Sequence, residues 1–108
     1  MLLIKLQKLS TLYINVKIYN GTKMIIKLFT IYDSKADAYL APIHMQTTGQ
    51  ALRAFQDTVL DPNHAFSKHP EDYSLFSVGQ FDDSNCKFDL LPTPICIAKA
   101  IEYTNPLK

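Results

Sequence analysis

The sequence holds no tryptophan, three glycines and two cysteines in 108 residues, and each scarcity closes a route. The glycines stand alone at positions 21, 49 and 79, so no glycine-rich loop is available to wrap a phosphate in backbone amides. Cys86 and Cys96 are too few for a disulfide framework. No signal peptide precedes them, so they are expected as free, partly buried thiols in a reducing cytosol. No apolar run approaches the roughly 18 to 20 residues that a membrane span requires. The opening stretch MLLIKLQKL is interrupted by Lys5 and Lys8, too early for a signal-peptide core.

Acidic residues are missing from one end. Residues 1–23 carry four lysines and no carboxylate, a net of +4. That leaves seven basic against ten acidic side chains on the remainder, a net of −3, although the whole chain is +1. A duplex-DNA binder usually shows a clearly positive balance, and residues 24–108 do not. The segment 1–23 is rich in Leu, Ile, Lys, Asn and Tyr. A strand over 11–19 is one reading of it. The preferred reading is a poorly anchored extension, translated upstream sequence with Met24 as the natural start.

What is present is enough to fold. Hydrophobic residues make up 47% and charged residues 19%, with six Phe and six Tyr for a modest core. The length gives one domain, over 24–108. A domain this small has little stability to spare, so further burial in a homodimer is expected.

Residues 25–33 read as a strand apolar on both faces, with Leu28, Thr30 and Tyr32 alternating against Lys27, Phe29 and Ile31. Residues 33–37 (DSKAD) read as a turn, and 38–45 as a second strand that Pro42 interrupts or confines to an edge. Thr47 and Gln50 fit a capping box, and Ala51, Leu52, Phe55 and Val59 form the stripe of a helix ending before Asp61-Pro62. Residues 63–72 read as a polar loop. A strand over 73–81 follows, with Gly79 a bulge or close-approach point, then a turn at 82–85 and a returning strand over 86–91. Residues 95–103 fit either a short helix or a closing strand. The fold class is α+β: a small antiparallel sheet of four to five strands packed on one α-helix, its other face open.

Catalytic and metal chemistry find little support. His64 and His69 with Cys86 and Cys96 lack the paired two-to-four spacing of zinc ligands. Asp82 and Asp83 are explained by a turn, and no local signature sets a nucleophile beside a base. The expectation is a protein that is not an enzyme and takes no metal or cofactor. Binding single-stranded DNA needs stacking rings and a few cations, and no overall basic charge. Phe29, Tyr32, Tyr39, Tyr73 and Phe76 fall on strands, with Lys27, Lys35, Arg53 and Lys68 scattered near them. The competing reading is that these aromatics are core.

Several pieces in fixed order carry a resemblance. They are Lys27-Leu28-Phe29-Thr30-Ile31-Tyr32-Asp33, then Lys35-Ala36, Tyr39 and Pro42, then Ala51, Arg53 and Phe55. Asp61-Pro62 follows, with Lys68, Pro70-Glu71-Asp72-Tyr73, Leu75-Phe76, Val78-Gly79 and Phe81-Asp82, and finally Pro94, Ile97, Ala100, Ile101 and Glu102. In this the chain resembles the small non-structural protein of gokushovirus-type microviruses, which are single-stranded DNA phages. The resemblance implies a protein of the infected bacterial cytoplasm, outside the virion. It also implies an accessory role in genome replication, binding single-stranded DNA at the switch to single-stranded synthesis, and it supplies no catalytic residues. The candidate contacts are Lys27, Phe29, Tyr32, Lys35, Arg53 and Lys68. The alternative is an oligomeric adaptor that contacts the phage initiator or a host replication protein, with Pro70-Glu71-Asp72 as its motif.

Overall fold

The computed structural model describes residues 24–104; the extension and strand expected within 1–23 lie outside them. The backbone runs β1 (Ile25–Asp33), β2 (Ala38–Tyr39), β3 (Ile43–Met45), α1 (Thr48–Leu60), a single-turn α2 (Ala65–Lys68), a 3-10 turn (Pro70–Asp72), β4 (Tyr73–Asp82), β5 (Lys87–Lys99) and a closing 3-10 turn (Ala100–Tyr103). All pairings are antiparallel, in the order β2-β1-β4-β5, and β3 shares the outer side of β1 with β2. The result is α+β with the sheet dominant.

Local chemistry explains most of these boundaries. The Asp33 carboxylate accepts from the amides of Lys35 and Ala36, at 3.0 and 3.2 Å, and so closes the turn out of β1. Pro42 cannot donate to a ladder, and the strand expected over 38–45 breaks there into β2 and β3. The Thr47 hydroxyl accepts from the Gln50 amide at 3.1 Å, and the Gln50 side chain accepts from the Thr47 amide at 3.3 Å. Both halves of the capping box are therefore made.

The core is one layer thick. Phe29, Ile31, Leu75 and Ala98 from the sheet pack against Ala51, Phe55 and Val59 of α1, and Ala100 closes one end. Each large side chain removed from water here contributes roughly 1.5 to 3 kcal/mol. Phe66 adds an aromatic brace, its ring centroid 5.8 Å from Phe55 and 4.5 Å from Tyr73. The segment 63–72 is thus no simple polar loop: His64 Nδ1 caps the Phe66 amide at 3.1 Å and starts α2.

The second half of the sheet departs from regularity at Gly79. Its φ of +154° and the approach of the Asp89–Leu90 backbone leave no room for a Cβ, which would stand 2.7 Å from Leu90 Cα. The β4–β5 register shifts there, from Ser77↔Ile95 to Gly79↔Leu90, and 91–94 have no register partner on β4. The returning strand does not stop at residue 91: β5 continues to Lys99, and only 100–103 turn helical. Pro92 and Pro94 are tolerated because β5 is an edge. Proline thus interrupts both outer edges, Pro42 on one side and Pro92 and Pro94 on the other. Strand addition is discouraged at both.

Candidate nucleic-acid interface

The two faces of the sheet are chemically unlike. The helix face is read from its core residues Phe29, Ile31, Leu75 and Ala98. The ladder then assigns the opposite, open face to Ile26, Leu28, Thr30 and Tyr32 of β1, Tyr39 and His44 beside them, and Ser74, Phe76, Gly79 and Phe81 of β4. On β5 it assigns Phe88, Leu90, Cys96 and Lys99.

Charge follows the same division. The strand carboxylates Asp33, Asp82 and Asp89 all sit at helix-face ladder positions, paired with Tyr73, with Ile25 and Lys87, and with Gln80. Asp57 and Asp61 belong to α1 and its C-cap, and Glu71 and Asp72 to the turn before β4. Among the described residues, the ladder positions of the open face carry no carboxylate, and Lys99 is the lysine found there. The net negative charge therefore belongs to the helix side and the turns.

Three aromatic rings gather at one end of this open face. Ring centroids lie 4.8 Å apart for Tyr32 and Tyr39, 5.6 Å for Tyr39 and Phe76, and 6.2 Å for Tyr32 and Phe76. Tyr39 is 51% exposed. The Tyr32 hydroxyl donates to the Asp37 carboxylate, which fixes the ring, and that hydrogen bond holds the phenol above its ordinary pKa of 10.0. Lys35 lies in the turn joining the strands that carry Tyr32 and Tyr39. Lys99 pairs with Ser74, which itself pairs with Tyr32, so the lysine stands two strands from the ring.

The family profile described as Phage ORF5 protein matches residues 26–103, which takes in all the described strands and helices except Ile25 at the start of β1. The chain belongs to the Phage ORF5 protein family. Searches of curated proteins and of solved structures find no match. No helix among the described residues of this family member is long and apolar enough to cross a membrane.

The six expected contact residues separate. Tyr32 and Lys35 belong to the aromatic end of the open face. Phe29 does not: it is fully buried under α1, because residues three apart on a strand point to opposite faces. The expectation that Phe29 is a contact residue beside Tyr32 is corrected accordingly. Lys27 shares the side of Phe29 and lines a polar cleft of about 280 Å³ with Thr48, Ser77, Gln80 and Asp89. Arg53 is exposed on α1 and Lys68 on α2, both on the helix side. Lys99, which sequence reasoning passed over, is located only by the register of β5.

Other candidates are weaker. Cys86 and Cys96 are free and exposed, which corrects the expectation of partial burial. His69, Glu71 and Asp72 bring one ligand atom each within 4.8 Å of one another. They lie on a single turn with His69 and Glu71 exposed, an arrangement that solvated acidic turns adopt without an ion.

Proposed function

We propose that this Phage ORF5 family member is the non-structural protein of a gokushovirus-type microvirus, accessory to genome replication, that binds single-stranded DNA on its open sheet face. It works in the cytoplasm of the infected bacterium, outside the virion and without catalysis. The observation that carries the reading is the Tyr32–Tyr39–Phe76 cluster on a face whose ladder positions hold no carboxylate. Unstacked bases gain roughly 1 to 3 kcal/mol each from such rings, whatever their sequence. The strand and helix carboxylates lie on the other side, which lessens the repulsion that a net-negative domain exerts on a polyanion; Asp37, at the edge of the cluster, accepts from the Tyr32 hydroxyl. Lys35 and Lys99 supply cations at the rim.

The test is titration of a labelled single-stranded oligonucleotide with the full chain at several salt concentrations. The reading expects binding that weakens as salt rises, with a shallow slope for a few phosphates, near −0.7 per phosphate engaged. Absence of binding at low ionic strength would end it.

A second reading, an oligomeric adaptor contacting the phage initiator or a host replication protein, draws on the apolar side chains Ile95 and Ile101, 53% and 46% exposed on β5 and the turn after it. Recovery of one defined partner on immobilised chain, with no DNA binding, is the result that favours it.

A further inference from the structure

Resting on the single-stranded DNA reading, we propose that the open face holds a second stacking platform, Phe81–Phe88, and that one DNA strand lies along β4 across both platforms.

The second ring pair is distinct from the first. Phe81 and Phe88 are direct cross-strand partners at the far end of β4 and β5, with ring centroids 4.8 Å apart and planes inclined at 50°. Phe88 leaves 57% of itself in water. A cross-strand aromatic pair supports a hairpin, yet a phenylalanine so exposed gives up much of the hydrophobic gain that burial offers. Such a ring is placed to accept a base.

The two platforms share a strand and a face. Phe76 and Phe81 both belong to β4, five residues apart with one bulge between them, so they stand roughly 13 to 16 Å apart at the rise of a strand. A stacked single strand rises about 3.4 Å per nucleotide, so about four or five nucleotides cover that span, and fewer if the strand is stretched. The open-face ladder positions between the platforms carry no carboxylate. At the hairpin end, Asp82 Oδ1 accepts from the Ser84 amide and hydroxyl, at 2.9 and 2.6 Å, and Asp83 Oδ1 accepts from the Met24 amide at 2.9 Å. The first is held by the turn and the second by the backbone leading into β1.

The experiment compares a labelled thymidine trinucleotide with a decanucleotide, using the full chain and its Phe88→Ala, Phe88→Tyr and Tyr39→Ala variants. The proposal expects Phe88→Ala to weaken decanucleotide binding about tenfold, the worth of a single base–ring stack, and to leave the trinucleotide unchanged. Phe88→Tyr keeps both affinities. A length gain due only to overlapping registers survives Phe88→Ala, and that outcome overturns the second platform. If Tyr39→Ala still weakens the trinucleotide in that case, the first platform stands alone. No binding by any oligonucleotide removes both. Sedimentation of the same proteins covers a rival role. A dimer that dissociates in Phe88→Ala, with decanucleotide affinity unchanged, assigns the pair to an interface between copies of the chain and overturns the proposal.

Discussion

Tyr32 and Tyr39 face each other across the β1–β2 pair with their ring centroids 4.8 Å apart. The turn between them is closed by Asp33 and Asp37 and leaves Tyr39 half exposed. Two phenol rings held over a sheet and left uncovered contribute less to stability than buried rings do. Their placement is what connects the fold to the proposed activity.

Cations on the two sides of the sheet are expected to differ. Lys35→Ala and Lys99→Ala should each weaken oligonucleotide binding and reduce the salt slope by up to about 0.7. Lys27→Ala and Arg53→Ala, on the helix side, should leave both almost unchanged. Equal effects from all four would point to diffuse electrostatic attraction without a defined face.

Gly79 is expected to tolerate no side chain. Gly79→Ala drives a methyl into the Asp89–Leu90 backbone at a φ that L-residues avoid. The expected cost is roughly 1 to 3 kcal/mol, read as a lowered urea midpoint. An unchanged midpoint would mean that β5 shifts freely at the bulge.

The Tyr32–Asp37 hydrogen bond has an alkaline signature. A phenol whose pKa is raised on folding adds stability that is fully present below the unfolded value near 10 and lost as pH rises through the higher folded value. Tyrosinate absorbance should therefore show a late-titrating component, and Asp37→Ala should return part of it toward 10.0. Tyr73 remains late in both proteins, because burial raises it first and the nearby Asp33 and Asp72 add to that.

The core and the helix cap are separable in stability. Phe55, 3% exposed between Phe66 and Tyr103, should cost about 3 to 5 kcal/mol as Phe55→Ala. Thr47→Ala removes one half of the capping box and should cost about 1 kcal/mol. Thermal or urea unfolding of both variants checks the ratio.

Much of this fold is legible in the chain's local chemistry. The capping box at Thr47 and Gln50, the break at Pro42 and the bulge at Gly79 each follow from a backbone requirement of the residue itself. What stays illegible depends on pairing. Alternation along β1 separates Phe29 from Tyr32, but only the position of α1 decides which of them is buried. Lys99 joins the open face through an edge strand that runs past two prolines, and proline in a sequence argues for an end. Phe66 is hidden because its neighbours are polar, although its ring braces the core.

The most direct measurement is anisotropy of a labelled single-stranded oligonucleotide titrated with the wild-type chain and with Tyr39→Ala, at low and moderate salt. Tyr39 is half exposed, so the substitution should leave unfolding nearly unchanged. The account predicts salt-sensitive binding by the wild type and a loss of about five- to a hundredfold in the variant. Equal binding by the two proteins, or none by either, would contradict it.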